Sequence, residues 1–274
     1  MAKRAAATGK KASAKGAGQA DLSGLRILIS NDDGYHAPGI KALERIARSL
    51  TRDVWVVAPE TEQSATSHSL TLRRPLRIRK QKPRHFTVDG TPTDCVLVAS
   101  QIILKDRKPD LVFSGINMGS NLGEDVTYSG TVAAAMEGAL LGIRSFAFSQ
   151  TRDERGKLDF GGAEALAPDI IRRLVAQKWK PETLINVNFP ALPADQVRGV
   201  RVCRQGRRDS GTTVAEGRDP SGRPYVWIGQ FLSDTSADDD TDLQAIVEGQ
   251  ISVTPLHLDL THQAMLRDMD GLFA

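Results

Sequence analysis

The chain has 274 residues, of which 40% are hydrophobic, 25% charged and 5% aromatic, with a formal net charge of +3. Those proportions are ordinary for a globular protein, and the length predicts one large domain, or one domain with an appended arm. Two cysteines, Cys95 and Cys203, exclude a disulfide framework and a four-thiolate zinc site and fit a reducing, cytoplasmic setting. No apolar run approaches the ~18 residues of a membrane span.

Charge is unevenly placed along the chain. Residues 1–20 hold Lys3, Arg4, Lys10, Lys11 and Lys15 and no acid, so the remainder is close to neutral. Segment 1–22 is mostly Ala, Lys and Gly, without the bulky side chains that offset ordering entropy, and reads as a disordered basic tail. Three roles stand open for it: an inert extension, a weak polyanion-binding arm, or a transit peptide. It lacks the apolar centre of a secretory signal. Contact with nucleic acid is expected only weakly, through this tail.

The folded body is expected from about residue 23. Leu25–Ser30 is a branched apolar run of the kind that forms a buried strand. Asn31-Asp-Asp-Gly34 then supplies turn chemistry, and Ile40, Leu43, Ile46, Ala47 and Leu50 follow helical spacing behind Pro38. Val54–Ala58 is a second strand, 59–75 a polar loop, and 76–89 room for a hairpin. A helix opens at Thr91, and Asp110–Ser114 is a third core strand. The Gly/Asn-rich loop 115–128 leads to a helix over about 130–141. A strand at Ser145–Ser149, a helix over 162–177 and a strand at Leu184–Val187 follow. This alternation predicts an α/β fold: a Rossmann-like, mostly parallel sheet flanked by helices over 23–198.

The pattern changes after residue 198. Arg198–Arg204 and Tyr225–Ile228 read as strands around a Gly/Asp-rich segment, 205–224. Gln250–Leu256 reads as a strand and 260–270 as a short helix. Residues 199–274 are therefore expected to form a hairpin and C-terminal arm, part of the same domain and engaged in oligomer contacts.

In open parallel sheets, functional residues gather in loops at the carboxyl ends of strands. Three such loops are unusually polar here. The first carries Asp32 and Asp33, which converge only where the strand ends in a turn. Two like charges held together call for a proton or a hard cation, with Mg²⁺ or Mn²⁺ the natural partner of oxygen ligands. The alternative is a solvated turn whose Asp caps the next helix. The second loop is 60–69. The third contains Asn117 and Asn121, with amide oxygens, and runs to Ser129-Gly130-Thr131. A helix start with hydroxyls and free N–H groups is an anion site, or simply a capping motif.

Absent motifs narrow the field. There is no Gly-x-Gly-x-x-Gly in the first βα turn, no P-loop and no Gly-x-Ser-x-Gly elbow. The five histidines, His36, His68, His85, His257 and His262, show no metal-ligand helix spacing. His36 and His68 lie in polar loops within possible reach of a substrate; His257 and His262 read as packing residues. Asp238–Asp240 reads as a solvated loop.

Several segments together carry a resemblance: Ile29-Ser-Asn-Asp-Asp-Gly-Tyr-His-Ala-Pro-Gly-Ile40, Val57-Ala-Pro59 with Gln63-Ser64, Gly90-Thr-Pro-Thr-Asp-Cys95, Ser114-Gly-Ile-Asn117 and Tyr128-Ser-Gly-Thr-Val-Ala-Ala-Ala-Met-Glu-Gly138. In this order they resemble the SurE ("survival protein E") family from about residue 25 to His257. The resemblance implies a metal-dependent phosphatase of nucleoside 5′- and 3′-monophosphates, in some members also of short polyphosphate. It implies one divalent cation on Asp32, Asp33, Ser64 and Asn117, with phosphate held by Asn121 and Ser129–Thr131. It further implies a homodimer or homotetramer with exchanged C-terminal arms. One position departs from the pattern: Ala65 follows Ser64 where the family usually has Gly, so a positive φ there would be strained.

The chemistry so read is metal-assisted phosphomonoester hydrolysis, with water as nucleophile and an Asp as base, or with an aspartyl-phosphate on Asp32 or Asp33. Two rivals of other classes remain. A non-catalytic nucleotide sensor would bind nucleotide and release no phosphate. A polyanion-binding protein acting through its tail would lose affinity steeply with salt.

Overall fold

A computed structural model describes residues 18–208, 212–231 and 238–273. Residues 1–17, the larger part of the expected tail, lie outside it. In chain order the elements are β1 (Arg26–Ser30), α1 (Pro38–Leu50), β2 (Asp53–Pro59), β3 (Ile78–Lys82), β4 (His85–Val88) and α2 (Pro92–Val98). Next come β5 (Leu111–Asn117), α3 (Asp125–Tyr128), α4 (Gly130–Leu140), β6 (Arg144–Gln150), α5 (Gly161–Val175) and β7 (Thr183–Phe189). The last are β8 (Val200–Val202), β9 (Thr212–Arg218), β10 (Pro224–Phe231), α6 (Asp242–Val247), β11 (Ile251–His257) and α7 (Gln263–Asp268).

Among the described residues, nine strands form one mostly parallel sheet in the order β3-β4-β2-β1-β5-β6-β7-β11-β8, and β9 and β10 form a separate antiparallel hairpin. The apolar strands are buried on both faces, and their alternation is visible in where the side chains go. Ile27 and Ile29 of β1 join one core cluster with Val54 and Val56, whereas Leu28 joins the opposite one with Val57 and Val112. Helices α1 and α5 cover the first face, α2 and α4 the second. The chain runs from β1 to β2 on one side and later to β5 on the other. The crevice where the order reverses therefore lies between the carboxyl ends of β1 and β5.

Three sequence expectations need correction. The tail was expected to be disordered through residue 22, yet Leu22, the one bulky side chain at its end, is buried in the core beside α1 and α5, and Ala20 N–H bonds to the Arg172 carbonyl. Segment 205–224 contains β9, whose Thr- and Val-bearing stretch pairs with β10. Asp238–Asp240 is an exposed loop, as expected, and helix α6 follows it, capped by Thr241, whose hydroxyl accepts from Gln244 N–H. Within 199–274, β8 and β11 are members of the main sheet: β11 lies between β7 and β8.

Candidate active site

At the switch point the structure opens a cleft of about 750 Å³. Its walls include Asp32, Asp33, Ser64, Asn117, Asn121 and Ser129, so six of the eight expected site residues meet in one place. Gly130 and Thr131 lie behind the wall rather than on it.

The Asp pair is shaped by the turn after β1. Asn31 donates to the Gly34 carbonyl at 2.9 Å, and Gly34 has a φ of +90°. This tight turn brings both carboxylates to one side. Asp32 is nearly fully buried and meets the start of α4: the Thr131 hydroxyl donates to its Oδ1, and the Thr131 backbone N–H also stabilises it. A Cβ on Gly130 would stand 2.8 Å from the Asp32 Cβ, so the helix start approaches this closely only because residue 130 is glycine. Gly130 and Thr131, expected from the sequence to hold phosphate, here face the Asp32 carboxylate. The anion at the α4 N-terminus is Asp32 itself, which helix N–H groups attract as they would a phosphate.

Burial pushes the Asp32 carboxyl above its ordinary range. Asp33 is pushed up to about 7, by burial first and by the charge of Asp32 second, although Met118 N–H donates to its Oδ2 at 3.2 Å. Among the described residues neither carboxylate has an ion-pair partner within 4 Å.

The second loop docks onto this turn. Gln63 N–H bonds to the Asp32 carbonyl at 2.7 Å, and Ser67 N–H to the Tyr128 carbonyl at 3.2 Å. Ser64 sits between, its hydroxyl donating to Glu62 at 2.8 Å. Ala65 has a φ of +58°, the left-handed conformation that the glycine departure put in question. His68 reaches Glu137 on α4 at 3.1 Å, which anchors the loop from its far end, and His36 packs edge-on against Tyr35. Neither histidine lines the cleft.

The third loop is held from below. Asn117 donates its amide N–H to the Gly119 carbonyl at 2.9 Å, which leaves its Oδ1 for a ligand. Asn121 N–H donates to Asn188 Oδ1 at 2.8 Å, and its carbonyl accepts from Asn186 at 2.8 Å and Asn188 at 3.1 Å. Its side-chain amide donates to Ser149 at 2.8 Å. A serine hydroxyl also donates, so an amide turned over keeps that bond and presents its NH₂ to the cleft. Ser129 caps α4, accepting from Val132 N–H at 3.0 Å.

Several cleft residues had no assigned role in the sequence reading: Glu62, Asp125 and Tyr128 within the polar loops, and Thr151, Arg152 and Arg208 outside them. Arg208 is nearly buried and forks onto Asp125 at 2.9 and 3.1 Å. Arg152 is exposed, and its positive charge reaches Asp33. Arg152 thus brings positive charge to the paired carboxylates, while Arg208 is engaged by Asp125 and Glu124 at the cleft wall.

Fold and cleft together define an α/β protein with a polar, carboxylate-bearing site at a topological switch point. Comparison with known proteins narrows this. The family described as "Survival protein SurE" matches residues 27–212, and the chain belongs to that family. It is 58% identical to "5′-nucleotidase SurE" of Paramagnetospirillum magneticum, over 93% of this chain and 98% of that one. It is 54% identical to the protein of the same name from Parvibaculum lavamentivorans, over 87% of each. Among solved structures, the "Sure Protein from Aquifex aeolicus" superposes with a TM-score of 0.79 at 44% identity, covering 90% of this chain and 99% of that one.

Proposed function

We propose that this chain is a divalent-metal-dependent phosphatase that hydrolyses nucleoside 5′- and 3′-monophosphates, and short polyphosphate, in the cytoplasm. It is a phosphoric monoester hydrolase of the 5′-nucleotidase class, a reading supported by the names of relatives 58% and 54% identical along most of its length. The observation that carries the metal dependence is the Asp32–Asp33 pair, two carboxylates at the switch point with no ion-pair partner among the described residues.

The donor set fits a hard cation. Among the described residues no three His, Cys, Asp or Glu side chains are placed to hold a metal ion, so a cation here would rest on two carboxylates and neutral oxygens, the Ser64 hydroxyl and Asn117 Oδ1. Such a set suits Mg²⁺ or Mn²⁺ rather than a softer metal. When bound, the ion supplies Lewis acidity to a phosphoryl oxygen and to the attacking water.

The chain's own groups do the rest. Two donors on Thr131 hold Asp32 in place and draw electron density from it, which favours water over Asp32 as nucleophile. Met118 N–H occupies Asp33 Oδ2, leaving Oδ1 to take a proton from that water. Arg152 and Arg208 supply positive charge to the phosphoryl oxygens, and Asn121 and Ser129 border the phosphate. Exposed apolar side chains on the hairpin, Trp227 and Ile228, and at the C-terminus, Leu260 and Phe273, support a homodimer or homotetramer.

Phosphate release from a panel of nucleotides, with Mn²⁺, Mg²⁺ or chelator, tests the reading. Release that needs the cation and fails in Asp33→Asn is expected. Nucleotide binding without release would leave a sensor instead.

A further inference from the structure

Loop 119–125 carries Asn121 and Asp125 into the cleft, and one of its peptide groups is gripped from outside. Gly123 sits mid-loop with a φ of +53°. Its N–H donates to Oδ2 of Asp242 at 3.0 Å, and its carbonyl accepts from the Gln205 side chain at 2.8 Å. Asp242 is fully buried and lines no part of the cleft. Its other oxygen, Oδ1, accepts from Gly206 N–H and Leu243 N–H, both at 2.8 Å. One carboxylate therefore joins three backbone segments: the site loop, the strand exit at 205–206 and the start of α6.

Those last two segments are the stems of the β9–β10 hairpin. Arg208 precedes the hairpin and Asp242 follows it, and both reach the same loop. Burying a carboxylate is costly unless its oxygens are satisfied. Three N–H donors satisfy this one, and a backbone-only join of the same segments would leave those donors without acceptors.

We propose that Asp242, with Gln205, is a positioning residue. It sets the shape of loop 119–125, and through it the placement of Asn121 and Asp125 against substrate. The proposal rests on the phosphatase reading for its kinetic consequence but not for its structural one.

Asparagine at 242 makes the test specific. An amide has one acceptor oxygen, so its NH₂ group must face backbone N–H groups on one side. The orientation that keeps Gly206 and Leu243 bonded costs one hydrogen bond rather than two, and it turns the NH₂ toward Gly123. Asp242→Asn thus releases the site loop while leaving the α6 start intact.

Two measurements on the full chain decide the matter. Amide hydrogen exchange over 119–125 should accelerate about tenfold in Asp242→Asn, with exchange in β5 and β6 unchanged. KM for a nucleoside monophosphate should rise about tenfold, with kcat within about threefold. Gln205→Met, which removes the companion bond at a half-buried position, should move both readouts the same way by a smaller factor, and it decides the case if Asp242→Asn does not fold. Wild-type exchange over 119–125 in the folded variants would overturn the proposal. So would a fall in melting temperature with KM unchanged. If wild-type protein releases no phosphate, the function reading fails, while the exchange measurement still judges the loop.

Discussion

Thr131 and Asp32 stand 99 positions apart in the chain, and the hydroxyl of the first donates to Oδ1 of the second. This bond ties the start of α4 to the turn after β1 and is fully screened from water. Thr131→Val keeps the shape and removes the donor. Losing a hydrogen bond to a buried carboxylate should cost about 1.5–3 kcal/mol at neutral pH. kcat should fall with it, since Asp32 loses a restraint, while KM stays near its original value. Thr131→Ser should restore both. Thermal melts read beside kcat and KM check this; a raised KM with intact stability and kcat would return the hydroxyl to the substrate.

Asp33 makes stability depend on pH in a defined direction. Its folded value is about 7 against an ordinary 3.8, so the folded state holds the proton more tightly than the unfolded chain. The stabilisation is complete below about 3.8 and is lost as pH rises through about 7. Ion-free wild type should therefore weaken between pH 5 and 8, and Asp33→Asn should show a flatter profile. The variant should gain on wild type as pH rises, and Mn²⁺ should restore wild type alone. Denaturant midpoints at the two pH values, with and without chelator, give the answer; parallel profiles would contradict it.

Gly130→Ala places a methyl against the Asp32 side chain, at 2.8 Å from its Cβ and 3.1 Å from Oδ2. Both atoms belong to a short, buried side chain with no room to retreat. The variant should fold with a loss of about 1–3 kcal/mol and drop kcat at least tenfold. Near-normal turnover would show that the helix start tolerates displacement.

Ala65 offers a substitution that improves the protein. A left-handed alanine costs roughly 1–2 kcal/mol relative to glycine, and the glycine chain gives back about 0.4–1 in unfolded entropy. Ala65→Gly should accordingly raise stability by about 0.5–1 kcal/mol. Because Ala65 lines the cleft beside Ser64, turnover at low cation concentration should be recorded on the same samples. A lower melting temperature would mean that the loop is held by contacts glycine loses.

The C-terminal helix separates assembly from folding. Truncation after Leu258 removes α7 and its exposed apolar residues but spares β11. Light scattering should show a smaller assembly while circular dichroism shows an intact fold. An assembly of unchanged mass would place the contacts elsewhere.

Much of this site was legible because it breaks patterns. Asp-Asp-Gly interrupts a branched apolar strand, and Asn117 and Asn121 sit in a loop too rich in glycine for a mere connection. Asn186 and Asn188 were legible and went unread: two asparagines at alternate positions of an apolar strand point to one face. Other parts were not readable. Nothing near Thr131 says that a carboxylate from the first strand fills the helix start. Arg208 and Asp242 reach loop 119–125 from 83 and 119 positions away, among other Arg and Asp residues that do nothing of the kind. Short elements such as α6 are set by capping and tertiary contact more than by periodicity.

The place of β11 has a bearing on biogenesis. The strand that fills the gap between β7 and β8 comes after both of them in the chain, with the β9–β10 hairpin between, so the sheet stays open on that side until β11 has been made. Until Ile251–His257 emerges, β7 offers a full row of backbone donors and acceptors flanked by Leu184 and Val187, and β8 has no neighbour at all. A chain interrupted before Ile251 therefore carries a ready template for pairing with other nascent chains. Closure of the sheet on this side waits for β11.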